Sequence, residues 1–328
     1  MDPRRYRLRA FVPADYPAIA QIETRRSADR PHTAAALKER DRTHATTGAA
    51  RWRGVVEEVA AHTVVGYADA LQLPWDGEPG SYWVLVAVDP DHEHRGVGRA
   101  LADAAERTAA DWSARVTRTE VPVDQERGVR FAAARGYVEV RRYWQSKQDV
   151  AEVDLDRIPD PGPTLERRGV RFSTYAAEGP DRPGVRAAVY RLYVVASESM
   201  PRIGPYRPMA RADFESMTLG NRALLSDAFF LAAHGAEYVG MSYLERSLDD
   251  PTSLHQLYTG TDPGWRGRGI ASALKRRTVE YARAHGVRYI WTANDSRNEA
   301  MWRINQRLGY VRRNARMLAE RWAVPRPA

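Results

Sequence analysis

The 328-residue chain repeats itself. Asp89-Pro90 recurs as Asp262-Pro263, at an offset of 173 residues. The same offset carries Arg95 onto Arg268, Gly96 onto Gly269, Gly98 onto Ala271, Ala100 onto Ala273 and Leu101 onto Leu274. It still holds at Gly136-Tyr137, which falls on Gly309-Tyr310. Chance does not keep register over that length, so the chain reads as two copies of one unit. Each copy is long enough to bury a core of ordinary domain size.

The second copy is the sharper. Thr259–Lys275 reads TGTDPGWRGRGIASALK: an apolar strand, Asp-Pro, a glycine-rich turn, then a helical pattern with Ile270, Leu274, Thr278 and Tyr281 on one stripe. A strand, a glycine turn and a helix N-terminus make an anion site, because successive amides converge there and the helix dipole favours negative charge. Glycine lets the backbone approach a phosphate without a Cβ in the way. Arg266 and Arg268 add charge-assisted donors. Neither G-x-x-x-x-G-K-[ST] nor G-x-G-x-x-G is present.

The element order is the same in both copies. Residues 6–12 alternate as a strand, and Asp15 precedes an amphipathic run with Ile19 and Ile22. Residues 24–50 read as helix and loop. Val55–Val59 and Val64–Leu71 form a hairpin, and Tyr82–Val88 is a buried strand leading into the first glycine loop. The next helix carries Val97, Leu101, Ala105, Thr108 and Trp112 on one face. A strand over 116–123, a helix over 125–134 and a strand from Val138 to Tyr143 close the copy. Pro159, Pro161 and Pro163 mark a stiff linker. The expected division is 1–155, a linker at 156–168, and 169–328.

In the second copy Val185–Val195 is a helix, and residues 197–208 form a Pro-rich loop. A hairpin turns at His234-Gly235, its Val239-Gly240 echoing Val65-Gly66. Leu254–Thr261 and Val287–Asn294 are strands. Glu299–Leu308 is a helix with Ala300, Met301, Ile304 and Leu308 inward, and Val311–Ala323 is the last strand. A mixed sheet packed by helices is the plain α/β reading.

These features resemble the GNAT acetyltransferases. The loop R-x-x-G-x-A after Asp-Pro resembles the acetyl-CoA loop of that family. The tail Thr292, Asn294, Asn298, Met301, Asn305 and Leu308-Gly309-Tyr310 is similar to that of its tandem members, a group that includes mycothiol-synthase-like enzymes. The resemblance implies two tandem GNAT domains, each a mixed, mostly antiparallel sheet flanked by helices, with two strands splayed apart for acetyl-CoA. It implies an N-acetyltransferase acting on a primary amine of a small molecule such as a metabolite or antibiotic. A non-catalytic acyl-CoA sensor or scaffold, or a protein or peptide acceptor, is the alternative.

Carried over residue by residue, the cofactor positions are Thr259, Thr261, Arg266, Gly267, Arg268, Gly269, Ile270, Ala271, Asn294, Asn298 and Asn305. In the first copy they are Val88, Arg95, Gly96, Val97, Gly98 and Arg99. That copy departs from the pattern, with Glu93 opening its loop and Val121, Gln125 and Ala132 where the second has its three asparagines. The first copy is therefore expected to be degenerate in catalysis, and whether it holds CoA stays open. The family's thiolate-protonating tyrosine falls on Asn305, which cannot serve as an acid, leaving Tyr310 as the neighbouring candidate. The family's base position falls on His255, an imidazole suited to work near neutral pH. Glu198, Tyr206 and Tyr258 are substrate-side candidates.

Composition narrows the rest. Net charge is +8 with a pI near 9.7, consistent with an anionic ligand. Basic residues are spread along the chain with no nucleic-acid-binding pattern, so nucleic acid is not the expected partner. Only Lys38, Lys147 and Lys275 are lysines. There is no cysteine, hence no thiol nucleophile, and no run approaching the ~20 apolar residues of a membrane span. No metal-ligand spacing is present. The expectation is a cytoplasmic protein, monomer or homodimer.

Overall fold

The computed structural model describes residues 1–27 and 31–323, in two compact units. In the first, β1 (Tyr6–Ala10), α1 (Tyr16–Arg26) and α2 (Ala34–Ala45) precede β2 (Arg51–Glu58), β3 (Thr63–Leu71) and β4 (Ser81–Val88). Then come α3 (Val97–Asp111), β5 (Val116–Pro122), α4 (Glu126–Ala134) and the start of β6 (Val138–Asp149). Part of the 24–50 stretch, at 28–30, lies outside the described residues. The second unit runs through α5 (Gly162–Arg167), β7 (Val170–Thr174), α6 (Tyr175–Glu178), α7 (Val185–Ser197) and α8 (Arg211–Phe214) to β8 (Leu224–His234), β9 (Glu237–Arg246) and β10 (Ser253–Thr261). It continues with α9 (Ile270–Ala284), β11 (Tyr289–Asp295), α10 (Glu299–Arg307) and β12 (Val311–Trp322).

Each unit has a sheet with one parallel pair. The first is ordered β1-β2-β3-β4-β5, antiparallel except where β4 meets β5. The second is ordered β7-β8-β9-β10-β11, antiparallel except where β10 meets β11. The sixth strand differs from the expected division at 156–168. Residues 141–149 of β6 belong to the second unit, where they pair with β11 from Tyr289↔Asp149 to Asp295↔Tyr143. Residues 317–322 of β12 belong to the first unit, where Met317 and Ala319 pack with Val121, Ala132 and Tyr137. The closing strand of each copy thus completes the other copy's unit.

The Pro-rich segment is not a free linker. Leu155 packs in the core with Val150, Val279 and Ile290, and Leu165 packs with Val170, Ile270 and Leu274. The prolines start α5, where a missing amide proton costs nothing. Ala300, expected inward on α10, is exposed; the buried residue of that helix is Asn305.

The paired Val-Gly echo has a packing cause. A Cβ on Gly240 would stand 2.5 Å from Ile270 and 3.1 Å from Leu274. A Cβ on Gly66 would stand 3.0 Å from Leu101 and 3.2 Å from Val97. Each glycine lets the helix after the glycine loop lie directly on its sheet. Gly240→Ala is expected to cost about 1–3 kcal/mol by overpacking, measured by chemical denaturation. An unchanged midpoint would mean that α9 can shift.

Candidate active site

The second unit opens a cleft by letting two strands part. β10 and β11 pair from Ser253↔Tyr289 to Gln256↔Thr292 and no further. Beyond that point β10 stays with β9 as far as Thr261, while β11 stays with β6 as far as Asp295. The register on β9 slips between Gln256 and Tyr258, so Leu257 is the extra residue of a bulge. A bulge leaves backbone groups of its strand outside the ladder. Thr292 Oγ1 donates to the Gln256 carbonyl at 3.0 Å, pinning the vertex.

The glycine loop stands at the mouth of this cleft. Asp262 accepts from the Gly264 amide at 2.8 Å and caps the short turn Pro263–Trp265, which explains the recurrent Asp-Pro. Gly267 and Gly269 take φ of +73° and +93°, and Gly269 is the N-cap of α9. Among the described residues no backbone carbonyl accepts from the amides of 267–271. The missing Cβ of Gly269 keeps clear of Pro161, which such an atom would meet at 2.8 Å. Ile270 is buried and anchors the first turn of the helix.

The two loop arginines are already engaged. Arg266 donates to the carbonyls of Thr261 and Ala196 at 3.3 and 3.2 Å. Arg268 donates to Gly264 O at 3.2 Å and lies 4.6 Å over the Trp265 ring. They hold the loop's shape, and the free amides are the better-placed anion donors. The cleft walls carry unspent polar atoms: Thr261 Oγ1 and Asn305 Oδ1 are buried without a partner. Asn305 Nδ2 donates to Asn294 Oδ1. Asn298 caps α10 by accepting from the Met301 amide at 3.2 Å. Free amides at a helix N-terminus with unsatisfied polar atoms behind them fit the phosphates and amides of a CoA-type ligand.

The opposite face of β10 carries the substrate-side candidates. Tyr258 shares a 2.8 Å hydrogen bond with Ser197 at the end of α7, and burial pushes its phenol above the ordinary value. Tyr206 donates to Val194 O at 2.7 Å, so its hydroxyl braces α7. Glu198 is exposed at the end of that helix, where its carbonyl takes a bond from Arg202. The Arg202 guanidinium stacks 4.3 Å over Tyr206. His255 is half-buried, opposite Trp291 on β11 and Glu245 on β9. Sequence reading missed Glu245. Its carboxyl accepts from Asn221 at 3.1 Å, and burial lifts it to about 7.

It named Tyr310 and Thr259 but missed Gln256 and Lys275, which join them in a polar cluster under α9. Tyr310 is buried, and its hydroxyl donates to Gln256 Oε1 at 3.3 Å. Lys275 Nζ donates to the same oxygen at 2.8 Å, and Thr278 Oγ1 lies 3.3 Å from it while donating to the Lys275 carbonyl at 2.7 Å. Gln256 Nε2 donates in turn to Ser242 and Thr259. Lys275 is 1% exposed, and burial pulls its amine down to about 7.

The first unit has the same plan. β4 and β5 pair only from Ser81↔Val116 to Trp83↔Arg118 and then part. A cavity of about 470 Å³ lies there, lined in part by Val84, Val86, Val88, Ala102 and Phe131. Gly96, Gly98 and Arg99 line it, whereas Arg95 and Val97 do not. Arg95 donates to the Tyr6 hydroxyl, and Val97 is core. Glu93, the acidic residue that opens this loop, is paired with Arg127 at 3.2 Å and Arg26 at 3.8 Å. Among the described residues no group of His, Asp or Glu could hold a metal, and no helix is long and apolar enough to cross a membrane.

The profile of the acetyltransferase (GNAT) family matches residues 16–137 and 189–310, two segments in the register of the internal repeat. A mycothiol acetyltransferase of Actinosynnema mirum is 28% identical over 251 residues, covering 76% of this chain and 77% of that protein. One from Geodermatophilus obscurus is 27% identical over 272 residues, covering 81% of each. Among solved structures, a GCN5-related N-acetyltransferase from Sphaerobacter thermophilus superposes with a TM-score of 0.76 at 21% identity, over 99% of this chain and 98% of that one. A tandem GNAT protein from the clavulanic acid biosynthesis pathway gives 0.76 at 20% identity, over 98% and 100%. These two likenesses show the fold.

Proposed function

Because the chain belongs to the acetyltransferase (GNAT) family, we propose that it moves an acetyl group from acetyl-CoA to a primary amine of a small molecule, in the C-terminal unit. The observation that carries this reading is the parting of β10 and β11 beside the free amides of α9. The amides of 267–271 would hold the pyrophosphate. Thr259, Thr261, Asn294 and Asn305 would line the pantetheine, and the bulge at Leu257 would supply an amide to the developing oxyanion. Bound acetyl-CoA supplies the thioester. Asn298 acts by capping α10, which positions Asn305.

The acceptor side is the face of β10 that holds Tyr258, with Tyr206 and Glu198 at its rim. His255 takes the proton of the attacking amine, and Glu245 on the neighbouring strand favours the imidazolium that forms. His255→Gln is expected to lower kcat at least tenfold with little change in the KM for acetyl-CoA. A change in kcat below about threefold removes His255 from the reaction.

The test of the function is CoA release across a panel of amines: aminoglycosides, polyamines, amino acids, cysteinyl sugars, peptides and the mycothiol-type acceptor that the relatives' name points to. The chain has no cysteine, so a thiol-reactive dye reads CoA without protein background. Acceptors with their own thiol are followed by chromatography. Release above the amine-free rate with one class identifies the acceptor, and none with any class sinks the reading. The open cavity of the first unit favours a second role there, acyl-CoA held without turnover. Its Val121 and Ala132 replace the cleft asparagines, and Tyr82 stands where the second unit has His255.

A further inference from the structure

Lys275 is a buried amine in the polar cluster under α9. It sits on the second turn of α9 and bonds Gln256 Oε1, with its Nζ 4.9 Å over the Tyr310 ring. Among the described residues no carboxylate pairs with it. Gln256 Oε1 also takes the Tyr310 hydroxyl at 3.3 Å, whereas the single Thr278 proton is committed to the Lys275 carbonyl at 2.7 Å, so one donor to that oxygen remains without the amine. Burying an ammonium without a counter-ion is costly, and an apolar residue of similar length is usually as good or better for stability. The first copy has Ala102 at the matching position.

The matching position in the first unit is a cleft wall. Ala102 lines the first unit's cavity together with Val84 and Val86. Gln256, to which Lys275 is tied, is the last residue of β10 paired with β11 and directly precedes the bulge. The amine therefore stands at the vertex where the strands part. A cation kept there without an anion suits an anion that exists only during reaction. Acyl transfer makes one, the thiolate.

We propose that Lys275 is the catalytic acid that protonates the departing CoA thiolate. The inference rests on the C-terminal cleft being the site of transfer. The acceptor nitrogen forms its bond to the acyl carbon while the carbon–sulfur bond breaks. The electron pair of that bond goes to sulfur, and the Lys275 ammonium gives sulfur a proton, leaving a neutral amine. The proton lost by the acceptor nitrogen goes to the base and then to solvent, from which Lys275 is recharged. Lys275 thereby takes the role left vacant at Asn305. Tyr310 is the titratable group facing it, and burial raises that phenol well above its ordinary value, so Lys275 is the stronger acid. The other groups around it, Gln256, Thr278, Ser242 and Thr259, do not titrate.

The decisive measurement is the ionisation of free CoA bound to the protein, read by thiolate ultraviolet absorbance with desulfo-CoA as blank. The protein contributes no thiol, and the difference between wild type and Lys275→Met isolates this cleft. The expected result is a bound thiol that ionises at least about one pH unit lower in wild type, because the ammonium stabilises the thiolate. In turnover, Lys275→Met lowers kcat about 10²-fold with the Kd for acetyl-CoA within threefold, and an acetyl thioester of a more acidic thiol recovers most of the loss. Identical thiol ionisation in both proteins, with CoA bound to both, overturns the proposal alone. If Gly269→Glu leaves CoA binding and turnover intact, the site reading fails and the proposal with it.

Discussion

Gly269→Glu is expected to lower turnover about 10³-fold and to abolish measurable acetyl-CoA binding in the C-terminal cleft. Gly269 sits at φ +93°, where a Cβ is strained, and that atom would stand 2.8 Å from Pro161. The carboxylate would project beside the amides of 267–271 and repel phosphate. Losing two or three hydrogen bonds to a charged group, at about 1.5–3 kcal/mol each, accounts for the size of the loss. The paired control is Gly96→Glu, at the N-cap of α3 with φ +79°. It should empty the first unit's cleft while leaving turnover within a few-fold. The reverse result, with turnover lost only in Gly96→Glu, moves catalysis to the first unit. Circular dichroism and calorimetric binding on both variants separate unfolding from loss of the site.

The anion loop was legible because its requirements are local. Asp262 caps a turn, Gly269 takes a positive φ and α9 begins, all within a dozen residues. The cleft was legible only by resemblance, since the parting of β10 and β11 depends on pairing with β9 and β6. The owner of the sixth strand was not legible. Val138–Tyr143 reads as a strand, yet nothing local says that residues 141–149 will pair with β11, about 140 residues away. Within the Pro-rich segment Leu165 docks on Val170, Ile270 and Leu274, a contact that the prolines around it do not signal.

Glu245 and His255 face each other only through the β9–β10 register, which a local pattern does not fix. Lys275 carried a faint signal. It is one of three lysines, lies between Leu274 and Thr278 of the buried stripe, and replaces an alanine of the first copy. A cation on a buried stripe breaks the local rule, and such breaks tend to fall at functional sites.

Lys275→Met is accordingly expected to stabilise the protein. The amine's pKa falls from 10.5 in the unfolded chain to about 7 in the fold, through burial. The unfolded state therefore binds more protons between those values, and wild-type stability rises with pH across that window. Below about pH 7 both states hold the proton and the penalty is full, on the order of 3–5 kcal/mol at 1.36 kcal/mol per pH unit. The lost bond to Gln256 offsets about 1 kcal/mol of the gain, since Tyr310 still donates to that oxygen. At pH 6 the variant should be more stable by about 2–4 kcal/mol, and the gap should close as pH approaches 10. Chemical denaturation of both proteins at pH 6, 8 and 10 reads this directly, the difference cancelling every group they share. Parallel stability curves would mean that Lys275 keeps its ordinary pKa in the fold. A more stable variant with a slower reaction is what a residue retained for chemistry should give, since a merely structural lysine would lose stability when replaced.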